Sequence, residues 1–168
     1  MEILKKNFRR VLMLTGILIF ALSISVFAVE ADVARINSGD TFTTLKEAYE
    51  KAADEDTITL LCDTSGDGIV IKKSITIDFD GYTYTFAGSG VGSSGTETNG
   101  FQILKGNTVT LKNGKLDVAE SHEENFAILI QNYANLNIVS MTLDGKNLDR
   151  TIIKKANGEI GSSLSYVL

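Results

Sequence analysis

Residues 108–118 read TVTLKNGKLDV and residues 135–145 read NLNIVSMTLDG. Laid over each other at a spacing of 27, Val109 falls on Leu136, Leu111 on Ile138, Leu116 on Leu143 and Asp117 on Asp144. In both stretches apolar residues alternate with polar ones, the period of a half-buried β-strand. ITIDFDGYTYTF (75–86) fits the same frame once one residue is inserted before Gly81. FQILKGN before the first copy matches AILIQNYA before the second, again with one insertion. A repeat of about 20–30 residues built of short strands and turns marks a parallel β-solenoid, because no copy buries its apolar face alone and stacked copies share one core.

The rest of the chain after Asp56 agrees with an all-β reading. ITLLC, IVIKKSITIDF, YTYTF, FAILI and TIIKK are short runs rich in Ile, Val, Thr, Phe and Tyr. Asp80-Gly81, Asn113-Gly114, Asp144-Gly145 and Asn157-Gly158 punctuate them as turns. The chain has no proline, so no strand carries a residue that breaks a ladder. One helix is expected, in TTLKEAYEKAADED (43–56), where Leu45, Ala48, Tyr49 and Ala52 share a face. Thr44 and Glu47 are placed as a capping box. Asp54, Glu55 and Asp56 should end the helix, since negative charge is unfavourable at a C-terminus. An amphipathic helix directly before the first strand suits the job of covering that strand's edge and the open end of the core.

The first 28 residues differ. Lys5, Lys6, Arg9 and Arg10 precede an apolar run from Val11 to Phe27 that ends in Val26-Phe27-Ala28. This is the order of a secretory signal peptide, with a second cleavage point after Ala31. Uncleaved, the same run is a membrane anchor of marginal length, since a span takes about 20 apolar residues. The expected organisation is a signal peptide at 1–28, a segment with the capping helix at 29–56, and about three to four solenoid coils over 57–168. TIIKKANGEIGSSLSYVL (151–168) reads as the opening of another coil, incomplete at the C-terminus.

Without its four bases and Glu2, the chain's 16 basic and 21 acidic residues fall to 12 and 20, a net charge of −8. Such a surface repels the phosphate backbone, which excludes a nucleic-acid partner. The single cysteine, Cys62, has no second cysteine to pair with in the chain and lies in the apolar run ITLLC.

TFTTLKEAYEKAADEDTITLLCD followed by IVIKKSITIDFDGYTYTF resembles right-handed parallel β-helix proteins of the pectate-lyase type. The closest likeness is to the N-terminal segments of exported bacterial surface proteins with adhesin-like solenoids, over roughly residues 40–145. The resemblance implies the fold far more than an activity.

DTSGDG (63–68) has the opening letters of an EF-hand loop, with Asp63, Ser65 and Asp67 as calcium ligands. Its twelfth position is Ser74 in place of a bidentate Glu, and its flanks are strands, so a polar turn is the better reading. A weakly held calcium is the only cofactor that the chain suggests. Asp117 and Asp144, in register at 27, should stack across neighbouring coils about 4.8 Å apart as a cation or sugar contact. Lyases of this fold pair calcium-binding acids with an arginine, and the only arginines after the leader, Arg35 and Arg150, lie in no coil beside these acids. His122, among Glu120, Glu123 and Glu124, has no nucleophile at a triad spacing. GSGVGSSGTETNG (88–100) reads as a flexible loop bulging from one coil. No catalytic residue is expected. The expected role is that of a secreted or cell-surface, non-catalytic domain that contacts glycans or surface proteins through its lateral face. The alternative is the first part of a pectate-lyase-like enzyme, and contact with a membrane is expected only through an uncleaved leader.

Overall fold

The computed structural model describes residues 31–120 and 126–149. The chain divides between Glu30 and Ala31, and everything described belongs to the second unit. The leader, His122 with its neighbours 121–125, and the tail 151–168 lie outside the described residues.

The protein is mainly β, with one helix and two open sheets. Strands β1 (Ala34–Ile36) and β2 (Thr41–Phe42) precede helix α1 (Leu45–Lys51). There follow β3 (Thr57–Leu60), β4 (Thr64–Gly66), β5 (Ile69–Ile71), β6 (Ile75–Asp78), β7 (Thr83–Phe86), β8 (Val91–Ser93) and β9 (Thr96–Ile103). Two long strands, β10 (Thr108–Val118) and β12 (Asn135–Asp144), flank the shorter β11 (Ile128–Asn132).

Three series of parallel pairings organise these strands. In the first, β3 pairs with β6, β6 with the first half of β10, and β10 with the first half of β12. In the second, β4 pairs with β7, β7 with the second half of β10, and β10 with the second half of β12. In the third, β5 pairs with β9 and β9 with β11. β10 and β12 run side by side from Thr108↔Asn135 to Asp117↔Asp144, the register that the spacing of 27 predicts.

β3, β5, β6, β7 and both halves of β10 send alternate side chains into a shared interior. Ile58, Ile77 and Leu111 are fully buried and in register, as are Tyr84 and Leu116, and Phe86 and Val118. Phe86 is the hub of an aromatic cluster, edge-on to Tyr84 at 5.3 Å and to Phe101 at 5.1 Å, and stacked on Phe126 at 5.5 Å. Each such ring contributes about 1.5–3 kcal/mol by leaving water.

The long strands bend where one residue enters the left-handed region. Asn113 (φ 61) bends β10 and Ser140 (φ 53), 27 residues on, bends β12. Asp80 (φ 48) and Gly81 (φ 88) make the corresponding corner after β6, with Gly81 N–H donating to Asn113 O. Here the expected frame slips. One inserted residue before Gly81 would set Tyr84 against Asp117, but the pairing is Tyr84↔Leu116 and Thr83↔Lys115. The corner holds two extra residues, because Phe79 turns inward and is fully buried while Tyr82 N–H closes a turn onto Phe79 O. A one-residue slip would have turned Tyr84 and Phe86 to solvent.

Four further expectations are corrected. The edge of β3 is covered by β1, paired antiparallel with Ala34↔Leu60 and Ile36↔Ile58, and α1 covers the apolar end with Leu45, Ala48 and Tyr49. α1 stops at Lys51, ahead of the acids, where Lys73 Nζ donates to the carbonyls of Tyr49 and Ala52 and lies over the Tyr49 ring. The capping box is one-sided: Thr44 Oγ1 accepts from Glu47 N–H, while the Glu47 carboxylate accepts from the Thr43 hydroxyl. Residues 88–100 are an antiparallel hairpin of β8 and β9, with Val91↔Asn99 and Ser93↔Thr96. Its glycines serve close approach as well as a turn, since a Cβ on Gly90 would lie 2.3 Å from Glu97 O.

Candidate functional site

On β10, Leu116 points inward, so Lys115 and Asp117 point outward on either side of it. The parallel register sets Asp117 between Thr85 of β7 and Asp144 of β12, and Thr85 beside Ser65 of β4. One outward row thus runs Ser65, Thr85, Asp117, Asp144 across four strands. The row beside it carries Thr83, Lys115 and Thr142.

Lys115 joins the two acids. Its Nζ lies 2.9 Å from Asp117 Oδ2 and 3.1 Å from Asp144 Oδ2. Asp117, first, and Asp144 hold the Lys115 ammonium above the ordinary lysine range. The N–H of Lys146, followed by Lys115, holds the Asp144 carboxyl below the usual carboxylate range. The other Asp117 oxygen, Oδ1, is buried and has no hydrogen-bond partner. The structure therefore brings Asp117 and Asp144 together as expected and fills the gap between them with an ammonium group.

A second staple lies on the same face. Lys112 of β10 pairs with Asp78 of β6 at 3.0 Å, and Asn113 Nδ2 donates to the other carboxylate oxygen at 3.1 Å. Burial raises the Asp78 carboxyl, but Lys112 and the N–H groups of Asp80 and Asn113 outweigh it, and the net shift is downward. Beside this pair, Thr57, Thr76, Thr110 and Asn137 form an uncharged row in register. Asn137 Nδ2 donates to Thr110 Oγ1 at 3.3 Å. Strands about 4.8 Å apart, with side chains repeating every ~6.6 Å along each, make this a regular grid of hydroxyl, amide and paired charge.

DTSGDG is placed differently from a turn. Thr64–Gly66 is the short strand β4, so Ser65 lies at its centre and Asp63 and Asp67 flank its two ends. That spacing spreads the outer two over about 13 Å, whereas calcium ligands lie about 2.3–2.6 Å from one ion. The structure does not bring the three residues around one point. Asp63 Oδ1 accepts from Thr83 N–H at 2.8 Å, and Asp67 accepts from Lys46 Nζ at 2.8 Å and Ser89 N–H at 3.0 Å. The two glycines answer to crowding. A Cβ on Gly66 would lie 2.6 Å from the Tyr84 hydroxyl, and one on Gly68 would lie 2.6 Å from Gly100 O. The same hydroxyl donates to Asp67 O, and burial pushes it well above the ordinary tyrosine range.

Among the described residues no group of three or more His, Cys, Asp and Glu side chains is arranged to hold a metal ion. No helix among them is long and apolar enough to cross a membrane. Sequence reasoning missed Lys115. The signal was present as K-L-D, opposite charges two apart on a strand and so on one face. No family model, curated protein or solved structure matches the chain.

Proposed function

We propose that the chain is an exported, cell-surface or secreted domain with the architecture of a right-handed parallel β-helix, whose role is structural or adhesin-like binding through its lateral face. The three parallel series support the architecture. Taken in chain order, β3-β4-β5, β6-β7-β9 and β10-β11 are successive turns of one winding, and β12 begins the next. Parallel crossovers are right-handed in nearly all proteins, which favours that hand here. The basic and apolar leader supports export.

One observation carries the non-catalytic reading: the acids that share the lateral face are tied up in ion pairs with lysines of the same face, Lys115 between Asp117 and Asp144 and Lys112 on Asp78. A glycosidase needs two carboxylates with distinct protonation roles across the scissile bond. Here the carboxylates serve to hold neighbouring turns together. What remains for a ligand is the grid of threonine, serine and asparagine groups, suited to glycans or to another protein surface.

The test is incubation of the purified chain with polygalacturonate and calcium, together with retention on insoluble polysaccharide and on intact cells. Retention without unsaturated, ultraviolet-absorbing products is expected. Such products would overturn the reading in favour of a lyase of this fold, and absence of any retention would overturn the binding role.

A further inference from the structure

In β9 Phe101 and Ile103 are fully buried, so Gln102 between them faces outward. The parallel register sets Gln102 between Val70 of β5 and Gln131 of β11, an outward row without charge. Gln102 Nε2 donates to Gln131 Oε1 at 2.6 Å, and Asn99 Nδ2 donates to the same oxygen at 3.0 Å. Asn99 is only 4% exposed, at the point where β8 folds back on β9. A buried amide group holds its partner firmly, because leaving it unpaired is costly.

The two glutamine amides are thereby oriented. Gln131 Oε1 accepts two hydrogen bonds, which uses both of its lone pairs and turns Nε2 the opposite way. Gln102 spends an N–H on that contact, and its own Oε1 lies on the other side of the amide group. Among the described residues neither Gln131 Nε2 nor Gln102 Oε1 has a partner, and neither atom is shut away from solvent. A donor and an acceptor therefore stand side by side on strands about 4.8 Å apart. A carboxylate only accepts and an ammonium only donates, whereas a hydroxyl does both, so neighbouring hydroxyls match this pair. Tyr133, two residues beyond Gln131, is 57% exposed, and its N–H donates to Ile103 O one step along the same ladder. Its ring adds a rigid apolar surface beside the amides. The row lies on the face of the sheet, so a further strand beside β11 would lengthen it and not cover it.

We propose that Gln102 and Gln131, with Tyr133 beside them, form a binding site for an uncharged sugar unit of a glycan. Gln131 Nε2 donates to one hydroxyl, Gln102 Oε1 accepts from its neighbour, and the Tyr133 ring lies against a C–H face of the sugar. A polypeptide fits this place less well, since recognition of a backbone by strand addition uses a free sheet edge and this pair lies on a face. The proposal rests on the glycan-binding reading above and places it on the sheet of β5, β9 and β11, not on that of the threonine row.

The experiment is retention of the purified chain on insoluble cellulose, xylan, mannan and chitin, on immobilised polygalacturonate, and on intact cells. Wild type is expected to be retained on at least one of the four neutral polysaccharides. Gln131→Glu keeps an oxygen for Asn99 and Gln102 to donate to and exchanges the free donor for an acceptor. It should melt as wild type does and bind that polysaccharide about tenfold more weakly. Tyr133→Ala should weaken binding to a similar degree, Tyr133→Phe should keep it, and Thr110→Ala on the other sheet should leave it unchanged. Retention that neither Gln131→Glu nor Tyr133→Ala weakens overturns the site and leaves the binding reading standing, as does retention lost with Thr110→Ala alone. Retention on polygalacturonate alone overturns the uncharged ligand. Retention on cells alone, abolished when the cells are treated with protease, overturns the proposal in favour of a protein partner. Absence of retention on every surface overturns both the site and the reading on which it rests.

Discussion

The β1 end and the β12 end of the strand stack use the same interior chemistry and differ, among the described residues, in what lies over it. At the covered end Leu45 and Ala48 of α1 are 1% and 0% exposed, and Ala34 of β1 and Ile58 and Leu60 of β3 are fully buried. At the β12 end Ile138 is 37% exposed, although it continues the row of Ile58, Ile77 and Leu111. The difference teaches that residue type does not decide burial in a stacked sheet. The presence of a further layer does.

The largest expected effect tests this contrast directly. Leu45→Ala should cost about 2–5 kcal/mol, the range for a large-to-small change in a closed core. Ile138→Ala removes a comparable side chain and should cost less than half as much. Denaturant melts of the two variants make the comparison, and equal losses would break it. Next comes the cap that fixes α1 over the covered end. Thr44→Ala deletes the side-chain acceptor for Glu47 N–H and should cost about 1 kcal/mol by the same melts. At the β12 end a gain is available. Ser140 adopts φ 53, a region that Asn, Asp and Gly tolerate better, whereas the equivalent bend in β10 already carries Asn113. Ser140→Gly should raise stability by a few tenths to about 1 kcal/mol, and a loss would mean that the bend is not strained.

The smallest effect is one of pH. Asp144 is held below its ordinary range, so its contribution is present above the unfolded carboxyl value of about 4 and is lost as pH falls through the folded value. Lys115 is held above its range, so its contribution is full below about pH 10 and is lost as pH rises through the folded value. Lys115→Met removes the ammonium group that bridges Asp117 and Asp144. The variant should be less stable than wild type at pH 7, and the gap should close as pH falls through the folded carboxyl value, by thermal melts across that range.

How much was legible follows the same division between repeated and irregular parts. The register of β10 on β12 was legible because every inward position kept its spacing of 27 and no residue is inserted between the strands. The register of β7 was misread by one residue, because Phe79 inside the corner is apolar yet belongs to no strand. β1 and β2 escaped notice, being three and two residues long with no period to detect. Glycine-rich 88–100 was read as flexible because composition shows where a Cβ is absent, not which backbone needs the space. Of the candidate site, the stacking of Asp117 on Asp144 was legible from the repeat. The lysine between them was not, since its role depends on a third strand position that pairwise alignment does not weigh. DTSGDG resembled a metal loop because alternate acids have the same spacing in a strand as in the opening of an EF-hand.

The parallel stacking of β3, β6, β10 and β12 at the registers described underlies every other conclusion. The most direct measurement is the set of cross-strand proton contacts in an isotope-labelled sample by nuclear magnetic resonance. The account predicts amide-to-Hα contacts that link Thr57 to Thr76, Thr76 to Thr110 and Thr110 to Asn137, a single row through four strands. Close Hα-to-Hα pairs between these strands would signal antiparallel pairing, and a row shifted by even one residue would put Leu111 and Ile138 on opposite faces. Either result would contradict it.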